Sequence, residues 1–187
     1  MKRKSIGTRH EMIVQPAFII GTYNEDGTAN FAPITWVSKT CEQDEDYLII
    51  ISMYGTKKTK QNVLRTKQLS INLVSTDMLH LMDYFGQTSG KEGVKDALSY
   101  TYGQASKVHA PTLDMSRWVC ECEVVNVMNT EESDTFFCRV CNVQIDETID
   151  VDTKGVDLTV FDPVIYSGNY HSIGSYLGSI GEHWSAE

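Results

Sequence analysis

The strongest constraint on the fold is a succession of short β-branched and aromatic runs, each ended by a turn signal. "AFIIGTY" (17–23) is followed by "NEDGT", whose Asp-Gly pair is a tight-turn signal, and "NFAPITWVSK" (30–39) then resumes as a second strand. That order predicts an antiparallel hairpin. "DYLIIISM" and "LSINLVS" read as further strands, the latter alternating Leu69, Ile71 and Leu73 against Ser70 and Asn72. Later, "WVCECEVVNVM" and "TFFCRVCNVQID" flank the polar turn "NTEESD". Helical signals are few. "KTKQNVLRT" is one short candidate, and "TDMLHLMDYFG" is a second, with Asp77 as N-cap and Met78, Leu81, Met82 and Phe85 on one face. "QTSGKEGVKDALSYTYGQ" reads as a loop with a short helix, and the tail is rich in Gly, Tyr and Ser. Many strands interrupted by a few short helices predict a mainly β fold, a barrel with helical excursions.

Composition narrows the partners. The 187 residues suffice for one domain with a sizeable core, and no linker or repeat divides them, so residues 1–187 are expected to form a single domain. A net charge of −9 argues against broad contact with nucleic acid or an anionic membrane surface. The longest apolar run, "YLIIISMY", is too short to span a bilayer, and no apolar stretch follows the basic start "MKRKSIGTRHEM". A cytoplasmic location is expected, and the odd number of cysteines (Cys41, Cys120, Cys122, Cys138, Cys141) fits free thiols there. Cys120 and Cys122 fall on one face of a strand, whereas Cys138 and Cys141 point to opposite faces, which disfavours a four-thiolate zinc site. The histidines show no metal-ligand spacing, and no nucleophile elbow or Rossmann glycine pattern occurs. If the protein is an enzyme, a cofactor carries its chemistry.

One segment is at odds with its own backbone. In "SMYGTKKTKQN" (52–62) a strand gives way to Gly55, and Lys57, Lys58 and Lys60 crowd the start of a helix. Free N–H groups and the helix dipole make that end partly positive, so lysines there are repelled unless an anion is held between them. The alternative is a solvated lysine-rich turn. In "DGTANFAPITWVSK", Asn30, Pro33 and Trp36 stand among small residues, as where a backbone lies close to a flat ligand; a lone strand tryptophan is more often core.

Taken in order, "DG-x-x-N-x-AP-x-x-W", an acidic turn, an apolar strand, "T-K-K-T-x-x-N" and "INLV" resemble the flavin reductase-like family of FMN-binding split β-barrels, flavoredoxins included. "HAPTLDMSRWVCECEVV" and "DPVIYSGNYHSIGSYLG" are similar to later segments of that family, so the resemblance covers roughly residues 12 to 180. It implies a split barrel, a homodimer and FMN as cofactor. It places the FMN phosphate on Thr56, Lys58 and Thr59 with Asn62 behind them. The isoalloxazine ring would lie along Asn30, Ala32, Pro33, Ile34, Thr35, Trp36 and Ser38, with Ser52 beside them and His171 as a further residue able to approach it. Two departures stand out. The Pro-Pro that many relatives carry after the Trp strand is replaced by "TCEQDED". A histidine of nicotinamide-using relatives is replaced by Asp134 and Thr135. The resemblance therefore implies an FMN-dependent oxidoreductase, either an NAD(P)H-dependent flavin reductase or, with that histidine missing, a flavoredoxin-type electron carrier fed by a redox protein. A non-enzymatic FMN storage or sensory module is the alternative, and a barrel holding some other phosphate ligand is a third reading.

Overall fold

The computed structural model describes residues 2–8, 13–42, 47–88, 99–150 and 157–176. Most of the expected loop before Tyr100, part of the acidic turn after Cys41, His10, His183 and the end of the tail lie outside the described residues. The expected hairpin forms: β2 (Phe18–Tyr23) pairs antiparallel with β3 (Ala29–Ile34), after a short N-terminal strand β1 (Gln15–Pro16). Gly27, at φ +82°, supplies the left-handed residue of their turn. The next strands are β4 (Val37–Cys41), β5 (Tyr47–Tyr54), β6 (Gln68–Leu73), β7 (Tyr102–Gln104), β8 (Pro111–Leu113), β9 (Trp118–Asn129), β10 (Ser133–Ile145), β11 (Val164–Tyr166) and β12 (Tyr170–Ser172). Helix α1 (Lys58–Thr66) covers the predicted "KTKQNVLRT", and α2 is Leu79–Gln87.

Seven strands form one antiparallel sheet in the order β3-β2-β6-β9-β10-β5-β4. Its two outer strands, β3 and β4, are consecutive in sequence and separated only by Thr35 and Trp36. Two residues span less than about 10 Å even when extended, so the sheet must curl until its ends nearly meet. The result is a mainly β split barrel whose seam runs between β3 and β4. "NFAPITWVSK" is therefore not one strand. It breaks at a corner where Val37 N–H donates to Thr35 O at 2.9 Å and Ser52 N–H donates to Trp36 O at 3.0 Å. Pro33 is compatible with this because β3 is an edge strand.

Side-chain alternation sorts the core into two layers. Ile20, Ile34, Ile51, Leu69, Ile71, Phe136 and Cys138 fill the barrel, whereas Ile19 and Phe31 face outward to meet Met78, Leu81, Met82 and Phe85. The predicted apolar face of α2 is thus buried, each such side chain contributing about 1.5–3 kcal/mol. Its start differs from expectation. Asp77 is not the N-cap, because Thr76–Met78 forms a 3-10 turn first and Asp77 instead accepts a hydrogen bond from Ser75 Oγ. At Gly21 the barrel wall is so close to strand β8 that an added Cβ would lie 2.3 Å from Pro111 O.

The buried Glu121 on β9 points away from the barrel and holds the loop at 105–110. It accepts from Ser106 Oγ (3.0 Å), Lys107 N–H (2.5 Å), Asn142 Nδ2 (2.8 Å) and Gln144 Nε2 (2.7 Å). Burial alone would raise its pKa, but these donors outweigh it and hold the carboxyl down at about 2. All five cysteines are free: Cys122 and Cys138 are buried, Cys41 and Cys141 are exposed, and Cys120 is half-buried. Burial pushes the Cys138 thiol up to about 12. No group of His, Cys, Asp and Glu among the described residues could hold a metal ion. No helix among them is long and apolar enough to cross a membrane.

Candidate functional site

The seam of the barrel is the floor of a groove, and α1 stands at one end of it. Gly55, at φ +70°, turns the chain out of β5 toward the helix. The N-cap of α1 is Lys57, which makes no side-chain capping bond, and no acidic residue occupies the first turn. The first intrahelical bond is Gln61 N–H to Lys57 O at 3.1 Å, so the N–H groups of Lys58, Thr59 and Lys60 lack an intrahelical acceptor. Beneath this end lies a buried polar layer. Asn30 Nδ2 donates to Thr59 Oγ1 at 2.7 Å and to Thr22 Oγ1 at 3.2 Å, and Asn62 Nδ2 donates to Thr22 Oγ1 at 3.1 Å and Asn24 Oδ1 at 2.9 Å. Thr59 is 2% exposed, and its hydroxyl accepts from Asn30 while its proton has no acceptor among the described residues. A donor is thus held ready at the groove, beside backbone N–H groups and two lysines.

The three lysines play different parts. Lys60 Nζ lies 2.8 Å from Asp134 Oδ2, and Asn129 Nδ2 donates to the same carboxylate at 2.7 Å. The bond from Lys60 is the larger cause holding the Asp134 carboxyl below its usual range. Lys57 and Lys58 instead line the groove. The cationic excess at the start of α1 therefore reduces to these two.

The groove has two halves that share Pro33, Tyr54, Lys57, Gly86 and Gln87. The half nearer α1, about 500 Å³, is lined by Asn30, Ala32, Gly55, Thr56, Lys58 and Thr59, with Phe85 and Thr88 from the α2 side. The distal half, about 420 Å³, is lined by Ile34, Thr35, Trp36 and Ser52, with Met82, Asp83, Tyr166 and Tyr170 opposite. β3 is an edge strand of the sheet, and its end at residues 32–34 borders the groove, where backbone groups can bond a flat ligand. Trp36, which a sequence prior would place in the core, is 49% exposed at this groove.

Of the residues expected from the sequence, Asn30, Ala32, Pro33, Ile34, Thr35, Trp36, Ser52, Thr56, Lys58 and Thr59 all line one half or the other. Ser38, Asn62 and His171 do not. Ser38 is exposed on β4 opposite Ile50, Asn62 is buried in the layer under the groove, and His171 pairs with Ile165 on the exposed strand β12. Thr135, one of the two residues replacing the family histidine, shares a hydrogen bond with Ser52 across 2.8 Å, beneath the groove. Sequence reasoning missed the α2 wall (Met82, Asp83, Gly86) and the pair Tyr166 and Tyr170. Their signal was available in part: Met82 and Gly86 are four apart on one helix face.

A split antiparallel barrel with an uncapped, lysine-bearing helix start opening onto its seam is the class of fold that these elements define. The flavin reductase like domain family matches residues 9–174, and the chain belongs to that family. Among solved structures, the flavoredoxin of Desulfovibrio vulgaris (Miyazaki F) is 24% identical, with a TM-score of 0.87 over 97% of this chain and 99% of its own. A Shewanella frigidimarina protein described as having a split barrel domain is 20% identical, with a TM-score of 0.79 over 89% of this chain and 85% of its own. An FMN-binding protein from Thermus thermophilus, with bound p-hydroxybenzaldehyde, is 19% identical, with a TM-score of 0.73 over 96% of this chain and 97% of its own. At these identities the likeness is one of fold.

Proposed function

We propose that this protein is an FMN-binding oxidoreductase, a flavin reductase or a flavoredoxin-type electron carrier. The observation that carries the reading is the uncapped start of α1, where Lys57, Lys58, the Thr59 hydroxyl and free N–H groups converge on the groove. A phosphate fits that donor set and removes the repulsion between the lysines and the helix dipole. A neutral ligand would leave both features without purpose. Riboflavin has the ring but lacks the phosphate, so the site should discriminate FMN from riboflavin.

Bound FMN would supply hydride and electron transfer. The chain's own groups do the rest. Thr56, Lys58 and Thr59 hold the phosphate end, Asn30 fixes the Thr59 hydroxyl, and the edge of β3 from Ala32 to Thr35 offers backbone groups to the ring. Trp36 and the α2 wall limit access of water. With Asp134 and Thr135 committed to Lys60 and Ser52, neither is free to serve as the missing histidine, which favours the electron carrier over direct NAD(P)H oxidation. The same reading makes the protein a cytoplasmic homodimer that receives electrons from NAD(P)H or from a redox protein.

The test is the visible spectrum of the purified protein before and after FMN addition and desalting, followed by NAD(P)H oxidation by the loaded protein. Retained flavin bands support the cofactor assignment. Retained flavin without NAD(P)H turnover, but with reduction by a protein donor, supports the carrier. A protein that takes up no FMN in an equilibrium titration refutes the reading.

A further inference from the structure

We propose that the barrel end opposite α1 is a binding site for an uncharged molecule with a hydrocarbon body; the inference does not depend on the flavin reading. β2 runs from Thr22, in the polar layer beneath α1, back to Phe18 at this far end. There a cavity of about 460 Å³ lies between two walls. One is the inner face of the barrel, with Phe18, Val37, Ile49 and Cys120. The other is the small sheet β1-β11-β12 together with the 3-10 turn Leu158–Phe161, which contribute Ile165 and Leu158. The Trp118 and Phe161 rings, with centroids 5.0 Å apart, pin that turn against the barrel. None of the lining residues also lines the flavin groove, so a flavin in the groove does not occupy this space.

The chemistry of the cavity is uniform. Apart from the Cys120 thiol and the Trp118 indole N–H, every lining side chain is hydrocarbon. A buried water needs several polar partners, and a charged group would lose its hydration without replacement, so neither suits these walls. Burial raises the Cys120 pKa, so near neutral pH the thiol is uncharged and offers no ion pair. Packing points the same way. Ile20, Ile51 and Ile71 on the inner face are at most 2% exposed, whereas Phe18, Val37, Ile49 and Cys120, packed against them, are only half-buried. Covering that apolar surface is favourable, and small barrels have room for one small ligand. An apolar cavity of about 150 Å³ takes up benzene, so one about three times larger has room for roughly ten to fifteen carbons. A protein partner fits less well. Stable interfaces take about 20–30 residues from each side, whereas 14 line this cavity, and its two walls face each other.

Calorimetric titration of the full chain, with and without FMN, by hexanol, octanol, decanol and octanoate tests this. Alkanol affinity should rise about fourfold for each added CH₂, the fold-change that burial of a methylene gives, and octanoate should bind more weakly than octanol. Methyl methanethiosulfonate, a small neutral thiol reagent, supplies a second readout. Octanol at about ten times its dissociation constant should slow modification of Cys120 about tenfold by mass action, while the exposed Cys41 and Cys141 react at unchanged rates. Cys120→Phe fills the cavity, and Leu158→Asp, at a position 51% exposed, sets a carboxylate in its wall. Each should weaken octanol binding by about tenfold or more. No alkanol binding, affinity that does not rise with chain length, octanoate binding as tightly as octanol, or octanol affinity unchanged in both variants overturns the proposal. Equal slowing at Cys41 and Cys141 overturns it as well, since the alcohol would then act on the whole surface. Cys120 protection that grows with protein concentration in the absence of alkanol would seat a second copy on the cavity, and also overturns it. Alkanol binding by a protein that takes up no FMN supports this proposal and overturns the cofactor reading alone.

Discussion

Replacing both groove lysines, Lys57→Ala with Lys58→Ala, should move stability in opposite directions with and without FMN. Lys58 is half-buried, so a charge-assisted bond from it to phosphate is taken at about 1.5 kcal/mol, the lower end of its range. Lys57 is exposed, and its contribution is on the order of 0.5–1 kcal/mol. Together they predict a loss of about 2–2.5 kcal/mol, or roughly 30- to 70-fold in FMN affinity. Riboflavin affinity should change by less than about twofold, since no phosphate contact is lost. In the ligand-free protein the same change removes two cations from a helix N-terminus that has no acidic residue to offset them. That gain is about 0.3–1 kcal/mol per charge before screening by solvent and salt. The variant should therefore melt higher than the parent without FMN and lower than it in saturating FMN. Fluorescence titration with both flavins and melting curves at low salt read all four quantities. Equal losses for FMN and riboflavin, or a ligand-free variant that melts lower than the parent, would refute the reasoning.

Three other sites give independent tests. The Glu121 carboxyl is held at about 2 against an ordinary value of 4.5, so its folded pKa lies below its unfolded one. Its contribution, about 3 kcal/mol, is present above pH ~4.5 and is lost as the pH falls toward ~2; urea midpoints across that range should fall less steeply in Glu121→Gln than in the parent. Asp134→Asn breaks a pair whose side chains are only 15% and 9% exposed, and should cost about 3 kcal/mol in urea unfolding; a loss below about 1 kcal/mol would show that Lys60 escapes to water. A thiol reagent near neutral pH should modify Cys41 and Cys141 in the folded protein but Cys122 and Cys138 only after unfolding, and labelled Cys122 in native protein, mapped by mass spectrometry, would contradict the barrel interior.

Strands and helices were legible in the sequence wherever the signal was local. The turn at Asp26–Gly27, the alternation in β6 and the limits of α1 all follow from residue types within a few positions. The phosphate end was legible for the same reason, because a conflict between lysines and a helix dipole is written in consecutive residues. What escaped was settled by long-range pairing. Nothing around Thr35–Trp36 says that the next strand crosses to the opposite edge of the sheet. That outcome depends on β10 pairing with β5, and β9 with β6, far along the chain. Asp83 and Tyr170 are 87 residues apart, and only the docking of β12 beside α2 makes them neighbours. Lys60 likewise reads as a third free cation until β10 brings Asp134 to it.

The corner at Thr35–Trp36 links the fold to the site. A closed barrel would satisfy both edges of its sheet and leave no groove along β3. A sheet with well-separated ends would expose that edge without walls. Two residues between edge strands fix an intermediate geometry, in which β3 stays at the end of the sheet while Ser52 and Tyr54 of β5 line the groove beside its residues 33–34. The Trp36 carbonyl is bonded to Ser52 N–H, so its side chain is presented by a tethered backbone and not by a free loop. Packing of Phe85 and Met82 against Phe31 then places α2 as the second wall. The groove is consequently as rigid as the two core layers on either side of it. Insertion of residues between Ile34 and Val37 should loosen flavin binding well before it unfolds the barrel, because it relaxes the seam while leaving both layers packed.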